Sequence, residues 1–167
     1  MPKITLSLFF ALVFATLQGC YSFTGSSLPV HLKTIAIPVF EDRSGAGIAQ
    51  FRGDITGGIS NKIEAQSALR LTPSMARADA LLEGTITSFS DAPSQLSSTT
   101  ERAMTNRVTL VVQVKMVDRM KKTQLFAQSF VGFSDYRTGS AIAQQEAMRS
   151  CVGQIIDQIF DRVVSGW

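Results

Sequence analysis

The sequence predicts an α+β protein: two amphipathic helices packed on one face of a mostly antiparallel sheet, in a two-layer sandwich. Three observations carry this. Apolar residues recur at four-residue intervals in two long segments, 48–66 and 141–164. They alternate in a third, 106–119, broken only by Val111 and Val117. The order along the chain is strand, helix, a run of strands, helix, and two apolar helix faces need one sheet face to cover.

The first element precedes the domain. Ile4 to Leu17 is apolar apart from Thr5, Ser7 and Thr16, with Lys3 before it. A bilayer core needs roughly 20 helical residues, so this run is too short to span well. A basic start, a short apolar stretch and small residues make an export signal. Its ending, Leu17-Gln18-Gly19-Cys20, resembles a bacterial lipobox. That resemblance implies cleavage before Cys20, a diacylglycerol on the sulfur and an acyl chain on the new amino group. More than one acyl chain anchors stably, at about 0.8 kcal/mol per buried methylene. Tyr21 stands where an aspartate would resemble an inner-membrane retention signal, so the outer membrane is expected. The organisation is a signal peptide over 1–19, a lipid-anchored tether over 20–32 and one domain over 33–167.

The whole chain carries 16 Lys and Arg against 13 Asp and Glu, and Lys3 leaves with the signal. The mature protein is therefore only slightly basic, and its bases form no dense run. Export and dispersed charge argue against nucleic acid as a partner. Two cysteines in an exported chain would suggest a disulfide, but acylation of Cys20 leaves Cys151 without a partner in the chain. Cys151 lies in helical phase with Met148, Val152, Ile155 and Ile159, which reads as a small core residue. A reactive or intermolecular thiol is the competing reading.

Residues 21–32 lack a period and contain Gly25 and Pro29, as a tether does. Ile35, Ile37 and Val39 alternate with Thr34, Ala36 and Pro38, giving a strand that Pro38 confines to an edge or an end. Phe51, Ile55, Ile59 and Ile63 mark the first helix. Gly53, Gly57 and Gly58 each cost it roughly 0.5–1 kcal/mol against alanine, which predicts a close approach of the sheet there. Ala68 to Thr72 predicts a brief strand. Ala78 to Pro93 predicts a long one, with Ala80, Leu82, Gly84 and Ile86 on one face and Phe89 out of phase.

Val108, Leu110, Val112, Val114 and Met116 form the clearest buried face. "MKKTQ" turns the chain, and Leu125 to Tyr136 is a last strand with Phe126 and Phe130 on one side. Gly139 and the N-cap candidate Ser140 precede the second helix, Ala141 to Val164. The Ser/Thr-rich stretch Asp91 to Thr105 reads as a long loop, either solvated and flexible or held by a partner.

No constellation for catalysis emerges. His31 is the single histidine and falls in the tether, where nothing would hold its ring as a base. His/Cys metal sites lack ligands, and no Gly-x-Ser-x-Gly elbow or phosphate-binding Gly-Lys-Ser/Thr loop is present. Glu41-Asp42 and Asp157/Asp161 read as solvated charges. The expectation is a non-enzyme without metal or cofactor.

The lipobox with Tyr21-Ser22-Phe23, then "LKTIAIPVFEDRSG" (32–45), "ADALLEGTITSFSD" (78–91), "RVTLVVQVKMVD" (107–118) and "QLFAQSFVGFSDY" (124–136), resembles the LptE family of lipopolysaccharide-assembly lipoproteins. The resemblance runs through the whole mature chain in order. It implies two helices on a four-stranded sheet. It also implies a non-catalytic role as a plug inside the outer-membrane β-barrel LptD, aiding its assembly and binding lipopolysaccharide. The protein would then face the periplasm and the barrel lumen. A structural or adaptor lipoprotein of another envelope complex is the alternative.

Family members contact lipopolysaccharide through basic residues, but no motif carries those residues over by position. The candidates from this sequence itself are Arg102, Arg107, Lys115, Lys121 and Lys122, which flank the long loop or stud the exposed strand face. The competing reading is that they serve solubility.

Overall fold

The computed structural model describes residues 28–96 and 103–165. Cys20, most of the tether and Arg102 lie outside them. The elements are β1 (Thr34–Ala36), β2 (Glu41–Asp42), α1 (Ala49–Gln66), β3 (Arg70–Leu71), β4 (Ala80–Leu96), β5 (Ala103–Asp118), β6 (Thr123–Arg137) and α2 (Ala141–Ser165).

The two helices pack on an open sheet, as expected, but the sheet is mixed and larger than four strands. Its order is β3-β1-β4-β5-β6, with β2 also pairing with β4. The long strands β4, β5 and β6 are antiparallel, while β1 runs parallel to both β3 and β4. The parallel part arises because α1 lies between β2 and β3 and carries the chain back to the end where β1 began. Two- and three-residue strands are too short to show a period, so neither their number nor their direction could be read from pattern.

The first strand also departs from its expected alternation. Ile35 pairs with Ala80, but Glu41 pairs with Thr85, so the β1–β2 side holds one residue more than the facing stretch of β4. The extra residue falls around Pro38 and reverses the faces. Val39 is 59% exposed and Phe40 is fully buried. The freed backbone of Phe40 is satisfied by α1. Its N–H donates to Thr56 Oγ1 at 3.1 Å, and its carbonyl accepts from Arg52 Nε at 2.9 Å. The ring lies where a side chain on Gly84 would stand, so the absent Cβ of Gly84 makes the space Phe40 fills.

Phe89 is explained the same way. The β4–β5 register shifts between Ile86 and Ser88, after which Phe89 faces Leu110. The bulge brings Phe89 back to the helix side, where its ring sits 5.4 Å from that of Phe51.

The helices fall as the periodicity predicts. Phe51, Ile55, Ile59 and Ile63 of α1 are buried, and Ser140 Oγ accepts from the Ala143 N–H at 3.2 Å to cap α2. The glycine expectation is corrected. A Cβ on Gly53 or Gly57 would meet open space, and only Gly58 is closely approached, by Ile156 of α2 rather than by the sheet. A close helix–sheet approach at a glycine lies instead at Gly132 of β6, where a Cβ would meet the backbone of Cys151.

The expected loop 91–105 is mostly strand. Gln95 pairs with Thr105 and Leu96 with Ala103, leaving 97–102 between them. This part of the hairpin is exposed over Ala92–Gln95, so neither face needs apolar residues and the alternation that marks a strand is missing.

As an edge strand, β6 would leave a row of backbone groups unpaired. α2 covers part of it with side-chain amides. Gln154 Oε1 accepts from the Phe133 N–H at 3.2 Å and its Nε2 donates to the Phe133 carbonyl at 2.9 Å, while Gln158 donates to the Val131 carbonyl at 3.0 Å. Gln154→Ala is therefore expected to raise hydrogen exchange at the Phe133 amide by about tenfold. Exchange at Gly132 and Ser134, whose neighbours on β5 are unchanged, should hold. Equal exchange at Phe133 in both proteins would refute the role of Gln154.

Candidate functional site

The helix-free face of the sheet and its two ends hold the exposed chemistry. Lys115 stands on this face in β5, with Nζ 2.9 Å from Glu83 on β4. Beside it a cleft of about 450 Å³ opens between the sheet and the β1–β2 segment, lined among others by Val39, Arg43, Met75, Gln113 and Lys115. Val39 is exposed because of the Pro38 step, and Met75 is 53% exposed. Arg43 pairs with Glu41 at 2.7 Å. The cleft thus combines apolar side chains with charged groups of both signs.

Arg107 lies near the hairpin end of the same strand. Its guanidinium bonds both oxygens of Asp135, Nε to Oδ1 at 2.7 Å and the second nitrogen to Oδ2 at 2.8 Å, and sits 4.9 Å from the Phe133 ring centre. The hydrogen bond from Arg107 holds the Asp135 carboxyl below its ordinary range, and the same bond raises the guanidinium further. Both groups are exposed, so the pair orients Arg107 rather than stabilising the fold.

Lys121 and Lys122 occupy the β5–β6 turn, at the other end. Lys122 has φ of 55°, and the Lys121 N–H donates to Asp118 Oδ1 at 2.9 Å. From Arg107 to Asp118 the strand runs roughly 36 Å at about 3.3 Å per residue. The structure therefore does not gather the sequence candidates into one site: Arg107 stands near one end, Lys115 along the face, and Lys121 and Lys122 at the opposite end.

His31 is a correction. The sequence left it unsupported in the tether, but its Nε2 lies 2.5 Å from Asp118 Oδ2, and Asp118 is only 1% exposed. Leu32 beside it is buried, and Leu28 packs against the core. Residues 87 apart in sequence share no local pattern, so no signal could have found the pair. A second polar cluster was also missed, at the hairpin end. Tyr136 Oη donates to Asp91 Oδ2 at 2.7 Å, Gln144 Nε2 donates to the same oxygen at 2.7 Å, and Asn106 Nδ2 donates to Asp91 Oδ1 at 3.1 Å. Burial, then the bond to Asp91, raises the Tyr136 hydroxyl. This network ties the first turn of α2 to all three long strands.

Cys151 is 1% exposed, and burial pushes its thiol up to about 11. It is a core residue, as its helical phase predicts, and is inert as a nucleophile. Among the described residues no group of three or more His, Cys, Asp or Glu could hold a metal, and no helix is long and apolar enough to cross a membrane.

Two helices on one face of an open mixed sheet define the class: a two-layer α+β fold. The chain belongs to the LptE family, whose model, described as lipopolysaccharide-assembly, matches residues 32–163. No curated protein matches it in sequence.

Solved structures share the fold. An uncharacterized lipoprotein B from Nitrosomonas europaea is 13% identical, with 81% of this chain and 84% of that chain covered and a TM-score of 0.59. A protein from Xanthomonas campestris is 10% identical, with 81% and 86% covered and a TM-score of 0.60. The PelC dodecamer from Paraburkholderia phytofirmans is 11% identical, with 84% and 96% covered and a TM-score of 0.51. At these identities the likeness is one of fold alone.

Proposed function

We propose that this lipoprotein is the plug of the outer-membrane β-barrel LptD: it enters the barrel lumen, aids its assembly and binds lipopolysaccharide in transit, without catalysis. The observation that carries this reading is the family match over nearly the whole domain, residues 32–163. A domain locked by buried side chains from both helices and the sheet suits a plug, because a rigid body loses little conformational freedom on insertion. Acylation at Cys20 would hold it at the membrane in which the barrel sits.

For lipopolysaccharide the reading favours Arg107 and Lys115, while Arg102 lies outside the described residues. Lys115 has the strongest support, since the cleft beside it offers exposed Val39 and Met75 for acyl carbon and cationic groups for phosphate. Arg107→Glu with Lys115→Glu is expected to cut lipopolysaccharide binding by at least about tenfold while the protein still folds, because both side chains are exposed. Unchanged binding would refute these residues.

The partner is tested by crosslinking in cells and pull-down of the membrane-extracted protein. Recovery of a large outer-membrane β-barrel supports the plug. Recovery of periplasmic proteins alone would overturn it in favour of an adaptor lipoprotein of another envelope complex.

A further inference from the structure

We propose that the end of the sheet from which the tether departs is a docking surface for an anionic phospholipid bilayer, the leaflet in which the Cys20 lipid is embedded. The inference rests on acylation of Cys20.

The strand registers bring one end of every main strand together. Thr34 faces Arg70, Ile35 faces Ala80, Ala80 faces Asp118, and Asp118 faces Thr123. The loops there are bound to one another. Asp79 accepts the Lys33 and Thr34 N–H groups at 2.9 Å each, the Arg119 N–H donates to the Asp79 carbonyl at 2.8 Å, and His31 and the Lys121 N–H both meet Asp118. Six exposed bases, Lys33, Arg70, Arg77, Arg119, Lys121 and Lys122, are thereby set on one rim.

The acids of these loops do not offset them at the surface. Asp118 is buried against His31, and Asp79 is committed to backbone N–H groups. Exposed Glu64 and Asp161 stand in the closing turns of the two helices, which return to this end, so six exposed bases face two exposed acids there. A chain that is nearly neutral as a whole thus concentrates positive charge at one end. Two of its large exposed apolar side chains stand there too, Val30 at 86% and Met120 at 62%. Basic side chains around protruding apolar ones are the composition that binds an anionic headgroup layer.

The chain itself selects this occupant. Cys20 is eight residues before Leu28, and at no more than about 3.6 Å per residue the anchor lies within roughly 30 Å of this end. Tethering holds the basic rim at high local concentration against the bilayer, so weak headgroup contacts suffice to orient the domain. The hairpin end, with Arg107, then points away from that surface.

The test uses the unacylated mature chain, residues 20–167 with Cys20→Ser, in cosedimentation with vesicles. It is expected to bind vesicles rich in phosphatidylglycerol, less so at high salt, and not vesicles of phosphatidylcholine alone. Lys121→Glu with Lys122→Glu should weaken this by about tenfold, as should Lys33→Glu with Arg77→Glu, which leaves the turn at Lys122 intact. Arg137→Glu with Arg149→Glu makes the same change in net charge elsewhere and should leave binding as it was.

No preference for phosphatidylglycerol, or equal losses in all three double variants, would each overturn the docking surface. The mass of the membrane-extracted native chain reports acylation separately. An unmodified Cys20 would overturn the anchor, whereas the vesicle results bear on the surface alone.

Discussion

Gly132→Val is expected to destabilise the domain by about 3 kcal/mol or more, read as a fall in the urea midpoint. Gly132 is in the middle of β6 opposite Leu110, and a Cβ there would meet the carbonyl oxygen, carbonyl carbon and Cα of Cys151. These are backbone atoms of a helix and cannot turn aside. α2 would have to lift from the sheet, opening the layer that buries Cys151, Ile155 and Ile159. Gly58→Ala is the informative comparison. The group in its way is the tip of Ile156, which can change rotamer, and alanine gains about 1 kcal/mol of helix propensity in return. A Gly132→Val midpoint as high as that of Gly58→Ala would refute the claim that backbone contact limits this interface.

Asp118→Ala is expected to cost about 2–3 kcal/mol, because it strands the Lys121 N–H and the His31 ring that now share one buried carboxylate. It should also change the acid limb of the stability profile. Burial pushes the Asp118 carboxyl up, but the Lys121 N–H and the His31 side chain more than offset this and hold it below its ordinary value. A group depressed in the folded state contributes fully above its unfolded value, near pH 4, and loses that contribution as pH falls through the folded value. The variant should therefore lose less stability than the native chain below about pH 4, measured by urea unfolding across that range. Parallel acid limbs would show that Asp118 does not carry this linkage.

What could be read from the sequence, and what could not, follows the range of the interactions. The buried face of β5 was readable because alternation over Val108 to Met116 admits one orientation. The helices were readable for the same reason at their own period. The Pro38 step and the Thr87 bulge each shift a register by one residue, and a one-residue shift reverses every later side chain. That is why Val39 faces solvent against the alternation of its segment and why Phe89 is out of phase in the sequence.

The candidate cations fared likewise. Arg107, Lys115, Lys121 and Lys122 are exposed as expected, but strand alternation says nothing of which end of a sheet a residue reaches, so a set drawn from the loop flanks and the exposed strand face separates along some 36 Å of strand.

By itself the sequence determined the two helices with their apolar faces, the buried face of β5, the core role of Cys151, the likeness to the LptE family and the expectation of acylation at Cys20. Each is a local pattern or an ordered series of them. Tertiary structure alone decided the mixed sheet, the seating of His31 on Asp118, the glutamines of α2 along the β6 edge, and the basic rim. Lys33, the segment from Arg70 to Arg77 and the turn from Arg119 to Lys122 lie far apart along the chain and reach one end of the sheet only because the strand ends coincide. Hydrogen-bond register sets that coincidence, and register is a property of paired strands that no single segment contains.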